Sequence, residues 1–338
     1  MTKRQPVIFG CAGLILTDEE ISFFKSVLPV GYILFARNID TPDQVKLLTD
    51  QFREISGDNT LVLIDQEGGR VQRMKPPHWS NYPTAQFFGH IYHEDKDLAW
   101  EAVALNSQLI AHDLLSVGIN VDCLPVLDIP VEGSDPIIGD RAYGLTPEIV
   151  ADLGSVAANA LMNSGVLPVI KHIPGHGRAD VDSHLSLPTV NVSHSDLSNF
   201  DFQPFKKMAH MPLAMTAHIV FSDIDDTAPA TQSKRMIEDI IRGEIGFKGV
   251  LMSDDLSMQA LKGSLGERTR RTFAAGCDLA LHCNGDMSEM QDVASNLSSA
   301  SANLETRLGE MLSSLNRDEG QNIDEIKNKY NQIVSGYK

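Results

Sequence analysis

Eight short apolar segments of β character recur along the chain, at 7–9, 32–35, 61–64, 119–127, 166–170, 213–220, 250–252 and 279–281, with helical stretches between them. Alternation of this kind favours a parallel sheet, because each spacer is long enough for a crossover helix. The spacers carry helix-start signals. Thr17 stands three residues before Glu20, Thr41 precedes Pro42 and Gln44, and Thr146 precedes Pro147; a hydroxyl cap followed by Pro or an acidic or amide residue opens a helix. Apolar residues at Val45, Leu48 and Phe52 follow at helical spacing. Eight strand-helix repeats predict an α/β fold that closes into a single-domain (β/α)8 barrel. An open doubly wound sheet is the structural alternative, but no GxGxxG follows the first apolar segment. The whole chain, 1–338, is read as one catalytic barrel. Leu304, Leu308 and Leu312 place closing helices at roughly 286–338, leaving no room for a second domain.

Composition narrows the partners. The chain has 42% hydrophobic and 22% charged residues, as ordinary globular proteins do. Its net charge of −17 opposes nonspecific attraction to nucleic acid or to an anionic membrane surface. No apolar run approaches a membrane span. Cys11, Cys123, Cys277 and Cys283 lie in or beside apolar runs without CxxC spacing, which suits reduced core thiols and a cytoplasmic location. Lys3 and Arg4 ahead of an apolar stretch imitate a signal peptide, yet Gly10, Gly13 and Thr17 interrupt it, and it reads as a first core strand. Nothing in the sequence fixes an oligomeric state.

In barrels of this type the chemistry sits where strands end. Segment three is followed by DQEGGRVQR (65–73), four by LDI and IGDRAYG (138–144), five by KHIPGHG (171–177), six by TAHIVFSD, seven by SDDLSM (253–258) and eight by HCNGDM. Polar groups that keep step with strand ends in this way form one rim. The fifth segment is expected to stop at Ile170, so that Lys171, His172 and His176 belong to a loop broken by Pro174, Gly175 and Gly177.

His172 and His176 stand four apart, but Pro174 and Gly175 remove the helix that would put both rings on one metal-binding face. No metal and no cofactor is expected. A carboxylate at the end of segment seven, Asp254 or Asp255, suits a fixed nucleophile or a stabiliser of oxocarbenium character. In Asp182-Ser183-His184 an aspartate can orient an imidazole and leave its second nitrogen for proton transfer. An isolated DSH is better read as a capping aspartate beside a solvated histidine, because the tripeptide is not specific alone.

DQEGGRVQR, IGDRAYG, KHIPGHG, the DSH that follows and SDDLSM, in this order along the chain, together resemble glycoside hydrolase family 3, and within it the bacterial β-N-acetylglucosaminidases of peptidoglycan recycling. The resemblance runs from the first segment to the eighth. It implies removal of a non-reducing terminal N-acetylglucosamine from a carbohydrate substrate, a muropeptide fragment, with retention through a covalent glycosyl-enzyme. It makes Asp254 the nucleophile, His184 the acid/base and Asp182 the residue that orients His184. Asp65, Arg73, Arg141, Lys171 and His172 match the sugar-binding positions, and their chemistry agrees, since carboxylates accept from sugar hydroxyls while Arg and Lys donate. Without their motifs these five would equally read as a rim salt-bridge network. His218, in TAHIVFSD, belongs to the same rim; it equally reads as a satisfied strand-end histidine and is left outside the catalytic set. The RADV stretch at 178–181 has no recognisable role. The other readings are a phosphorylase, in which a neutral histidine tolerates incoming phosphate, and a carbohydrate-binding protein that has lost activity.

Overall fold

The computed structural model describes residues 4–183, 186–298, 303–315 and 322–337. Eight parallel strands form a closed barrel: Gln5–Phe9, Pro29–Leu34, Leu61–Ile64, Val121–Asp122, Leu167–Ile173, Leu213–Thr216, Val250–Asp255 and Leu279–His282. Each strand lies beside its neighbours in sequence, and the eighth closes on the first through Val7 opposite Ala280. The expected α/β barrel is therefore the fold.

The two-residue period of a strand divides its side chains between two environments. Ile8, Val30, Leu61, Leu63, Leu167, Val169, Leu213, Val250 and Leu279 pack together in the lumen. Their neighbours Phe9, Tyr32, Val62, Ile64, Ile170, Ala214 and Leu251 face outward into the helical layer. Each such large side chain taken from water contributes about 1.5–3 kcal/mol. Leu304 and Leu308, on the helix Leu304–Ser313, join the lumen cluster rather than the outer one. That helix caps the inside of the barrel, opposite in role to the helices that wrap it. A last helix, Ile323–Ser335, is tied to the helix Lys96–Ser116 by the Tyr330 hydroxyl donating to Asn106 Oδ1 at 2.8 Å in a buried setting.

The caps work as expected. Thr17 Oγ1 accepts from the Glu20 backbone N–H, and Glu20 Oε2 accepts from the Thr17 N–H at 2.8 Å, a reciprocal box that opens the helix Asp18–Val27. Thr41 and Thr146 cap the helices Pro42–Ser56 and Pro147–Asn163.

Two boundaries differ from expectation. The fourth strand is Val121–Asp122, not the whole of 119–127, because Pro125 has no N–H to give the ladder. Beyond it the chain continues beside the fifth strand through single contacts, such as Leu127 N–H to Lys171 O at 2.7 Å. The fifth strand does not stop at Ile170: it runs to Ile173, with Lys171 opposite Met215 and Ile173 opposite Thr216. Lys171 and His172 are thus strand residues, held by ladder bonds, rather than loop residues. The seventh strand likewise extends through Asp254 and Asp255.

Candidate active site

Just past the third strand the chain turns back on itself, Gln66–Gly68 pairing antiparallel with Val71–Gln72. The buried Gln66 side chain locks this hairpin, accepting from the N–H groups of Arg73 and Met74 and donating to Met74 O, each at 3.0 Å. Gly68 is required there: its φ is +98°, and a Cβ would sit 2.2 Å from Pro83 O. The hairpin brings Asp65, Glu67 and Arg73 to the same rim as the end of the fifth strand.

Lys171, 2% exposed, is the hub. Its ammonium donates to Asp65 Oδ1 at 2.8 Å and lies 2.6 Å from Glu67 Oε1. Arg73 reaches Asp65 Oδ2 at 2.9 Å, and Arg141 clasps Glu67 with two bonds of 2.8 and 2.9 Å. Burial works against the charge on Asp65, but Lys171 and Arg73 outweigh it and hold its carboxyl well below the usual range. Glu67 is likewise lowered against burial by Arg141 and Lys171. Lys171 is kept charged against burial by the same two carboxylates. Asp65, Glu67 and Lys171 are therefore ionised at neutral pH.

Beside this network the fully buried Asp128 organises two histidines. Its Oδ2 takes His172 Nδ1 at 2.7 Å, and its Oδ1 accepts the backbone N–H groups of His172 and His176 at 3.1 and 2.6 Å. The carboxylate fixes the proton on Nδ1 of His172 and leaves Nε2 for the cavity. Asp128 itself is lowered, against burial, by the two histidines. His176 is pushed down to about 4 by burial and by its neighbour His172, so its ring is neutral.

At the end of the seventh strand, Asp254 Oδ1 accepts from the Asp255 N–H at 2.8 Å. The Asp255 carboxylate accepts from the Ser257 and Cys283 N–H groups and the Ser257 hydroxyl. His218 is buried and satisfied, with Nδ1 at 2.7 Å from Thr231 Oγ1 and Nε2 at 3.0 Å from Asp255 O, as a strand-end histidine should be.

A cavity of about 350 Å³ opens at this rim. Asp65, Arg73, Arg141, Lys171, His172 and Asp254 all line it. Six residues from four motifs, up to 189 positions apart, are brought to one hollow. Asp182 is half-buried on the loop that follows the fifth strand and does not line this cavity; its carbonyl accepts from the Ser186 N–H at 3.1 Å. His184 lies outside the described residues. Arg178, which had no role in the sequence, anchors that loop through Asp201 at 2.7 Å and over the Phe200 ring. Sequence reading also passed over Glu67 and Asp128. Both stand inside quoted motifs, but the long-range pairing that reveals them needs the fold. Phe35 and Arg37 line the cavity too, Arg37 stacked on the Phe35 ring. Among the described residues no cluster of three or more His, Cys, Asp or Glu is arranged to hold a metal ion, and no helix is long and apolar enough to cross a membrane. The four cysteines are buried thiols.

A closed parallel barrel with a monosaccharide-sized hollow at the C-terminal ends of its strands, walled by ionised carboxylates and their guanidinium partners, is a glycoside hydrolase of the (β/α)8 type. The sequence model described as Glycosyl hydrolase family 3 N terminal domain matches residues 17–313, and the chain belongs to that family. It is 35% identical over 283 residues to a beta-hexosaminidase of Nitrosomonas eutropha, covering 82% of this chain and 80% of the relative. A beta-hexosaminidase of Neisseria meningitidis serogroup B is 38% identical over 286 residues, covering 83% of this chain and 78% of the relative. Among solved structures, that of NagZ from Neisseria gonorrhoeae in complex with N-trifluoroacetyl-D-glucosamine superposes with a TM-score of 0.88 at 31% identity, covering 99% of this chain and 98% of the other.

Proposed function

We propose that the chain is a retaining exo-β-N-acetylglucosaminidase that removes the non-reducing terminal N-acetylglucosamine from muropeptide fragments of the GlcNAc-1,6-anhydro-MurNAc type, in cytoplasmic cell-wall recycling. The observation that carries this reading is the shared cavity of Asp254 and the Asp65–Lys171–Glu67 network, which sets a carboxylate beside fixed charged groups. The names of its relatives and the glucosamine derivative bound to the gonococcal structure support the acetamido sugar.

In this reading the terminal sugar sits against Lys171, Arg73, Arg141 and His172 Nε2, which donate or accept with fixed geometry. Asp65 already receives Lys171 and Arg73, yet each carboxylate oxygen has a second lone pair for a sugar hydroxyl. Asp254 Oδ1 is held by the Asp255 N–H, and its other oxygen attacks the anomeric carbon. As that C–O bond forms, the glycosidic C–O bond breaks, and His184 gives its proton to the leaving oxygen. The resulting imidazole then takes a proton from water, whose oxygen displaces Asp254 and restores the β configuration. Asp182 would orient His184 and stabilise its imidazolium.

The test compares 4-nitrophenyl β-N-acetylglucosaminide with 4-nitrophenyl β-glucoside and follows product anomers by NMR. The acetamido substrate should react at least about 100-fold faster in kcat/KM, with β-N-acetylglucosamine formed first. Equal rates, or an α product, would refute the proposal.

A further inference from the structure

Of the two histidines in KHIPGHG, the function uses only His172. His176 is buried and does not line the cavity. Its ring is 3% exposed, and Nε2 lies 3.1 Å from the Oγ of Ser183, itself 2% exposed. Its backbone is fastened to Asp128 Oδ1 at 2.6 Å, on the carboxylate whose other oxygen takes the His172 ring. Ser183 has a second tie on the opposite side: its carbonyl accepts from the Ala260 N–H at 3.3 Å, in the turn that follows Asp254 and Asp255. One serine therefore bridges the loop that leaves the fifth strand and the loop that leaves the seventh. In sequence its neighbours are Asp182 and His184.

We propose that His176 and Ser183 are a positioning pair, a buried imidazole–hydroxyl clasp that holds Ser183, the residue before His184 in sequence, between the loops that leave the fifth and seventh strands. The clasp rests on the reading of His184 as acid/base, and touches neither sugar nor reacting atoms. Its physical logic is leverage. A proton donor must stand within hydrogen-bond reach of the leaving oxygen, and a displacement of about 1 Å costs on the order of 100-fold. A surface loop does not keep that tolerance unless something buried holds it. Ser183 supplies one bond to each flanking loop, and Asp128 links the clasp to the His172 ring, so the residue next to the assigned donor and the ring assigned to the sugar are tied to the same carboxylate. A serine at the centre of the tripeptide is thus a geometric component.

The experiment uses the full chain with Ser183→Ala, Ser183→Thr, His176→Gln and the double variant Ser183→Ala/His176→Gln, beside His184→Ala as reference. Each is assayed on a poor leaving group, N,N′-diacetylchitobiose, and a good one, 2,4-dinitrophenyl β-N-acetylglucosaminide, and N-acetylglucosamine is titrated as product inhibitor. Ser183→Ala should lose about 10- to 100-fold in kcat/KM on the disaccharide, and under about threefold on the dinitrophenyl glycoside, whose departure needs no proton. The inhibition constant should stay within about twofold, because the sugar contacts are untouched. Ser183→Thr, which keeps the hydroxyl, should recover most of the loss, and the double variant should be no worse than the worse single variant. Equal losses on both substrates, a weakened inhibitor, or a Thr variant no better than Ala would overturn the clasp. If His184→Ala shows leaving-group dependence and Ser183→Ala does not, the clasp alone fails. If His184→Ala shows none, the acid/base assignment fails and the clasp falls with it.

Discussion

Replacing Lys171 by methionine should both destabilise the chain and disable it, by amounts that follow from its contacts. The ammonium is 2% exposed and has two carboxylate partners, Asp65 at 2.8 Å and Glu67 at 2.6 Å. Methionine keeps most of the stem's packing, so the loss is chiefly electrostatic. Each carboxylate loses one charge-assisted bond of about 1.5–3 kcal/mol, while Arg73 and Arg141 still neutralise one each. The sum, about 3–6 kcal/mol, overlaps the usual cost of about 3–5 kcal/mol for removing one partner from a buried ion pair. Urea unfolding at pH 7 reads it as a shift in midpoint at unchanged slope. Sugar binding loses a charged donor as well, so kcat/KM on 4-nitrophenyl β-N-acetylglucosaminide should fall about 10- to 100-fold. A second variant tests the network: Lys171→Met/Glu67→Gln leaves Arg141 without its carboxylate and should recover neither stability nor activity. A stability loss under about 1 kcal/mol, or activity restored together with stability, would refute the hub.

His176 makes stability depend on pH in a defined window. Burial and the neighbouring His172 lower it to about 4 in the folded chain, against ~6.5 when unfolded, so the unfolded chain binds the proton first. Its contribution is complete above pH ~6.5 and is lost as the pH falls towards 4, about 2–3 kcal/mol by pH 4.5. Wild type should therefore lose that much more stability than His176→Gln between pH 7.5 and 4.5 in urea titrations, and parallel curves would contradict the buried neutral ring. Prolonged chelation with EDTA should leave kcat unchanged, because the assigned residues work by proton transfer and carboxylate attack; a loss restored by zinc would overturn that assignment.

The barrel was legible because it is written in local patterns. Alternating residues such as Ile8 and Phe9 sort themselves to lumen and helical layer, and Thr17, Thr41 and Thr146 mark where crossover helices begin. Strand ends were not legible. Lys171 and Asp254 look like loop residues by composition, yet their backbones are held in the sheet by partners such as Met215 and by the register of the eighth strand. Pro125 shortened the fourth strand in the opposite sense. The cavity-lining residues could be assembled from motifs, since strand ends converge on one rim whatever their exact register. Glu67 and Asp128 could not, because their importance lies in partners 74, 104, 44 and 48 positions away. A buried acid in sequence is indistinguishable from a solvated one until its cations are placed around it.

In the proposed mechanism Asp254 forms the bond to the sugar. Incubation with 2-acetamido-2-deoxy-5-fluoro-β-glucopyranosyl fluoride should trap the glycosyl-enzyme, because the ring fluorine slows the second step. Peptic digestion and tandem mass spectrometry should then find the added sugar on the peptide carrying Ser253-Asp254-Asp255, with fragment ions placing it on Asp254, and Asp254→Ala should remain unlabelled and inactive. A label on Asp255, whose carboxylate is occupied by Ser257 and the Cys283 N–H, or on Asp65, would contradict the account.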